Sequence, residues 1–189
     1  MKLKSFLILA LLAPLLWAAP LTVRGGSKPV MVHYMPWFQS PYSLGGTNWG
    51  AHWTGNGLFS YHADPFFYFN PNITNQIASW YVPQIGPYDS LDPAVLEYHV
   101  LLMKLGGIDG VIVDWYGQDN YYDYLINNQR TLALFNYTRK AGLKFSLCYE
   151  DATIQAEING GTLNGITVTT GNAIAHAQQT LRYAETNFF

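Results

Sequence analysis

Three apolar runs in this chain each close on a polar and aromatic cluster, and that pattern leaves few folds open. They are Val30 to Trp37 (VMVHYMPW), Ile108 to Tyr116 (IDGVIVDWY) and Leu143 to Asp151 (LKFSLCYED). Near-continuous apolar runs of this kind read as strands buried on both faces, the habit of parallel sheets covered by helices. Between the second and third runs lies a helical pattern, and the right-handed crossover rule then lays successive strands side by side.

The helix before the second strand has a local start signal. Asp92 predicts an N-cap and Pro93 fits the first helical position. Val95, Leu96, His99, Leu102 and Met103 recur at helical spacing, and Gly106-Gly107 supplies the stop. A second helix is predicted from about Tyr121 to Ala141, with Leu125, Leu132 and Phe135 inward and Gly142 ending it. A third begins near Asn172 and carries Ile174, Ala177, Leu181, Ala184 and Phe188 on one stripe. The long connection from Phe38 to about Leu91 is rich in Gly, Asn and Pro, but its Trp49, Trp53, Tyr61, Phe66, Phe67, Tyr68 and Trp80 argue against disorder.

The order β, long loop, α, β, α, β, loop, α predicts an α/β fold of about three βα units. It reads as the N-terminal portion of a (β/α)8 barrel, truncated relative to the eight strands and roughly 250 residues of a full one. A complete three-stranded domain would instead leave apolar sheet edges open. Residues 1–20 read as an export signal: Lys2 and Lys4, the apolar run Phe6 to Trp17, and the small-residue region Ala18-Ala19-Pro20. That run is shorter than the roughly 20 residues a membrane span needs. Residues 21–29 form a linker and residues 30–189 the partial barrel, so the expected location is secreted or periplasmic, with no membrane association after cleavage.

Without Lys2 and Lys4, eight basic residues face twelve acidic ones, and no basic stripe exists, so nucleic acid is not an expected partner. The single cysteine, Cys148, excludes an internal disulfide and reads as a small buried hydrophobe. Of the five histidines, His33, His52, His62, His99 and His176, none forms an HExxH or HxH arrangement, so no metal and no cofactor is expected. His99 reads as a core residue. Charged residues make up 12% of the chain and aromatic ones 16%, against about 25% charged in ordinary soluble proteins. Aromatic rings with a polar edge suit sugars, which stack C–H faces on rings while their hydroxyls seek hydrogen bonds; an aromatic-rich core explains the same numbers.

In (β/α)8 barrels the working residues sit at the C-terminal ends of the strands. Tyr34 and Trp37, then Asp114, Trp115 and Tyr116, then Glu150 occupy those ends and are the candidate sugar-contacting residues. His52, flanked by Trp49 and Trp53, joins them from the long loop. The structural alternative makes Asp114 a backbone cap and packs Trp115 under a loop. Adjacent acids on a strand face opposite ways; Glu150 is read as facing the barrel axis and Asp151 as a loop cap.

Four stretches carry a family resemblance. They are His33-Tyr34-Met35-Pro36-Trp37, Trp49-Gly50-Ala51-His52-Trp53, the YxPxxGPYxSxDP segment Tyr81 to Pro93, and the strand Gly107 to Tyr116. Together they resemble the glycoside hydrolase family 99 and 71/99-like proteins, which include endo-α-1,2-mannosidases. The resemblance implies a (β/α)8 barrel that cleaves α-linked glycans with retention, one carboxylate deprotonating the sugar 2-hydroxyl and another protonating the leaving group. Both carboxylates lie later in those proteins than the part this chain resembles, so the catalytic residues are unknown here. Tyr34, Trp115 and Glu150 match sugar-contacting positions, and His52 matches a loop histidine loosely. The expected partner is an oligosaccharide or polysaccharide. The expected protein is a secreted glycoside hydrolase, here as its substrate-binding half; the alternatives are a non-catalytic carbohydrate-binding protein built on such a barrel, or an unrelated exported domain.

Overall fold

The structure is a computed structural model, and it describes residues 28–41, 48–55, 65, 77–79 and 81–189. The expected export signal, most of the linker, His62 and the aromatics Tyr61, Phe66, Phe67, Tyr68 and Trp80 lie outside the described residues. No helix among the described residues is long and apolar enough to cross a membrane.

A three-stranded parallel sheet in the order β1-β2-β3 forms the centre. Its strands are β1 (Met31–Tyr34), β2 (Gly110–Trp115) and β3 (Lys144–Tyr149). Helix α1 (Ala51–Thr54) and helix α2 (Pro93–Leu105) come between the first two, and α3 (Tyr124–Lys140) joins the second to the third. After β3 come α4 (Ala152–Glu157), a two-residue-stranded hairpin of β4 (Thr162–Leu163) and β5 (Ile166–Thr167), and α5 (Ala173–Phe188). The hairpin turns on Asn164 and Gly165, both at positive φ (51° and 79°), the backbone that Asn-Gly adopts with little strain.

Register fixes which side chains share a face. Val32 pairs with Val111 and Tyr34 with Val113, while Val111 pairs with Phe145, Val113 with Leu147 and Trp115 with Tyr149. Alternation along a strand therefore sends this whole set toward the helices. There Leu96, Val100 and Met103 of α2 and Leu134 of α3 close the core over Val111 and Val113. A second cluster joins Trp115 to Ala184 and Phe188 of α5, with Phe135, Phe145 and Tyr149 packed around it.

The helix starts were readable and the helix faces less so. Asp92 accepts from the Ala94 N–H at 2.8 Å, as an N-cap should. Leu102 and Leu125, expected inside, are exposed, as are Ile174 and Leu181 of α5. The buried face of α3 is instead largely polar, with Asn127, Asn128, Arg130, Thr131 and Thr138 inside, and that of α5 is His176, Thr180, Ala184 and Phe188. Hydrophobic periodicity cannot see such faces: Asn128 and Arg130 are matched by Trp115, Tyr183 and Asp89 from elsewhere in the chain, while Thr131 and Thr138 bond carbonyls of their own helix. Cys148, expected to be buried, is exposed, because it lies on the face of β3 opposite the helices.

Gly110 is required by the β2–β3 spacing. A Cβ there would sit 2.6 Å from the Lys144 Cβ and closer still to the Lys144 carbonyl oxygen. Backbone cannot swing aside as a side-chain tip can, so Gly110→Ala is expected to cost about 1–3 kcal/mol. Urea unfolding measures it, and a change under about 0.5 kcal/mol would mean the strands separate freely at that point.

Candidate functional site

The face of the sheet turned away from the helices gathers the chemistry. His33 on β1, Asp114 on β2 and Cys148 on β3 place donor atoms within 4.8 Å of one another, with Asp114 buried and the other two exposed. Asp114 pairs directly with Cys148 in register. Glu150, two residues beyond Cys148, continues the same row, and Asp114 reaches it by a hydrogen bond between the carboxyl groups. Although Glu150 is exposed, partial burial raises its carboxyl above the ordinary range. The charge and the hydrogen bond of Asp114 push the same way, and His33 opposes them. The two carboxyl groups, with the Tyr116 hydroxyl beside them, present several hydrogen-bonding oxygens on one edge.

An aromatic wall stands beside this pair. The Tyr116 hydroxyl donates to Asp114 Oδ2 at 3.3 Å. Burial, then the negative charges of Asp114, Glu150 and Asp123, hold that phenol protonated far above its usual range. Trp37 lies 6.3 Å from the Tyr116 ring and stacks on His52 at 4.3 Å with the planes 2° apart. His52 Nε2 in turn sits 3.2 Å from Asp123 Oδ2. His52 reaches this place because α1 folds back against the segment after β1. Gly50 binds its N–H to the Gln39 carbonyl at 3.1 Å, and a Cβ at Gly50 would fall 2.8 Å from that of Gln39.

Five of the seven sequence candidates, Trp37, His52, Asp114, Tyr116 and Glu150, thus form one connected group. Tyr34 and Trp115 do not join it. Tyr34 points into the helix layer, where its hydroxyl meets His99 Nδ1 at 2.9 Å, and burial drives its phenol far above the usual range. Trp115 is 0% exposed and gives its indole N–H to Asn128 Oδ1 at 3.0 Å. The reason is parity: both occupy the strand positions in register with Val113 or beside it, which face α2, α3 and α5. His99 is, as expected, a packed residue, and burial lowers its pKa. Sequence reasoning missed His33, Cys148 and Asp123. Counting alternate residues back from Asp114 and Glu150 would have found the first two once register was known.

A second polar cluster lies behind the strand ends. Asp119, Glu157 and His176 are 2%, 1% and 7% exposed. Burial raises the Asp119 carboxyl. Burial, followed by the hydrogen bond and charge of Asp119, raises the Glu157 carboxyl to about 8.

Comparison with known proteins adds to this geometry. No family model matches the chain. A stretch of 45 residues is 40% identical to a glycoprotein endo-α-1,2-mannosidase-like protein of Danio rerio, covering 24% of this chain and 10% of that protein. Two structures of the GH99 endo-α-mannosidase from Bacteroides thetaiotaomicron superpose on 84% of the chain. The one without a stated ligand gives a TM-score of 0.52 at 18% identity, and the complex with bis-tris-propane gives 0.50 at 19%. The chain spans 40% and 36% of those two structures, well under two thirds of either. In fold, along that part of their length, this chain is similar to the glycoside hydrolase family 99 endo-α-mannosidases.

Proposed function

We propose that this chain is the substrate-gripping portion of an exported glycoside hydrolase acting on α-linked glycans, built on the first three βα units of a (β/α)8 barrel. The observation that carries the reading is the hydrogen-bonded Asp114–Glu150 carboxyl pair, walled by Tyr116 and by Trp37 on its His52 stack. A sugar presents neighbouring hydroxyls on one edge and C–H groups on its faces. The paired carboxyl groups meet the first, and flat rings meet the second.

The pair itself does not flank a scissile bond. Carboxyls that act across a glycosidic linkage stand about 5–9.5 Å apart so that sugar or water fits between them, whereas these two touch. Their role is to hold the sugar, and hydrolysis requires two further carboxyl groups. That contact also favours a second reading, a carbohydrate-binding protein without chemistry. Incubation with α-linked manno-oligosaccharides separates the two: released reducing ends support the hydrolase, and binding without release supports the binder.

Glu150→Gln keeps the shape and removes the charge-assisted partner, so it is expected to weaken oligosaccharide binding by about 1.5–3 kcal/mol, roughly ten- to a hundredfold. Because the side chain is exposed, folding stability should stay within about 0.5 kcal/mol. Calorimetric titration beside a melting curve reads both. Unchanged affinity would remove Glu150 from the site.

A further inference from the structure

We propose that Asp119, Glu157 and His176 form a binding site for a divalent first-row transition ion of the zinc or manganese class. The inference is independent of the glycan reading. One donor atom from each residue lies within 4.8 Å of the others, a spread that one ion with bonds of about 2.0–2.2 Å can gather. His176 Nε2 faces both acids at once, Asp119 Oδ2 at 2.5 Å and Glu157 Oε2 at 3.0 Å. One imidazole nitrogen carries one proton and serves one acceptor well, whereas a metal ion in the middle is shared by all three. All three side chains are almost fully buried, and an ion of charge +2 would balance two ionised acids that are costly to bury unpaired.

A separate observation points the same way. Thr180 Oγ1, one helical turn beyond His176 on the buried face of α5, is buried without a hydrogen-bond partner, and the buried Asp119 oxygens have none outside the cluster itself. Buried polar atoms without partners are uncommon in native proteins and call for a ligand or ordered water. A cavity of about 140 Å³ lined by Leu163, Ile166, Asn172, Ala175, His176 and Gln179 reaches the cluster at His176. The donor set of one imidazole and two carboxylates favours zinc or manganese over calcium, which takes six to eight oxygens. The ligands come from the segment after β2, from the end of α4 and from α5, so the ion would tie three elements together. Separations of 38 and 19 residues hid the set from spacing rules, which look for ligands on one helix or loop.

The test uses protein stripped with a chelator and titrated with Zn2+, Mn2+ and Co2+. Expected are one ion per chain, a melting temperature that rises with free ion, and weak d–d bands for Co2+ held by nitrogen and oxygen. His176→Gln and Glu157→Gln should each weaken binding at least a hundredfold, and Cys148→Ser should leave it unchanged. Circular dichroism confirms that the variants fold. Should they not, the wild-type Co2+ spectrum still decides, because a strong near-ultraviolet thiolate band would put the ion at Cys148 and overturn the proposal. Absence of stoichiometric binding by all three ions would overturn it equally.

Discussion

Trp115→Ala is expected to lower folding stability by about 3–5 kcal/mol, the usual result of emptying a large aromatic from a closed core. The indole is fully buried, stacks parallel to Tyr183 at 6.3 Å and meets Phe188 edge-on at 5.8 Å. Its removal also strands a link in a chain of bonds, because Asn128 accepts from Trp115 and donates to the Tyr183 hydroxyl at 2.8 Å. Trp115→Phe keeps most of the volume and loses the N–H, so it should recover much of the loss. Urea unfolding gives the stability, and oligosaccharide titration of whatever remains folded should show affinity nearly intact. A large affinity loss with stability preserved would return Trp115 to the sugar site.

Arg130→Met is the other change with a large expected effect. The Arg130 guanidinium forks onto Asp89, Nε to Oδ1 at 3.3 Å and Nη2 to Oδ2 at 3.2 Å, with side chains only 1% and 5% exposed. Asp89 also accepts from the backbone N–H groups of Ser40 and Leu91. Losing the arginine leaves a carboxylate buried without its cation, which costs about 3–5 kcal/mol and lowers the melting temperature by roughly 6–20 °C at this chain length. Arg130→Lys restores charge without the fork and should fall between. A loss below about 1 kcal/mol would class the pair with exposed ion pairs. Asp89 belongs to the Tyr81 to Pro93 segment that carries the family resemblance. It stands at a position the motif leaves open, and through Ser40 and Arg130 it ties the loop after β1 to α3.

The strands and the start of α2 were legible because their signals are local. A buried parallel strand is an apolar run, and an Asp-Pro cap acts on the N–H groups next to it. Strand-end direction was not legible. The apolar runs alternate little even though the face opposite the helices leaves His33 and Cys148 exposed rather than buried, and only register with neighbouring strands shows that Asp114 and Glu150 share a face while Tyr34 and Trp115 share the other. The faces of α3 and α5 failed for a related reason. Asn128, Arg130 and His176 are buried because Tyr183, Asp89 and Asp119 are there to receive them, and those matches are facts of tertiary structure. For α5 the expected stripe holds at Ala184 and Phe188 but not at Ile174 and Leu181, which are exposed; the buried row runs through His176 and Thr180 instead.

The strand pairing carries a consequence for how the chain acquires its structure. Met31 meets Gly110 across 79 residues, whereas Gly110 meets Lys144 across 34. Closing the longer loop costs about 0.7 kcal/mol more in chain entropy, before the ordering of any segment within it. The shorter closure also brings α3 down on both β2 and β3 at once. Residues 110–149 should therefore assemble first, with β1 arriving late onto a surface already made. Amide protons of Val111 and Val113 would then be protected early in a pulse-labelling experiment, and those of Val32 and Tyr34 later. The site's two halves would be born at different times: Asp114 with Glu150 early, and the Trp37–His52 stack only when the N-terminal strand docks.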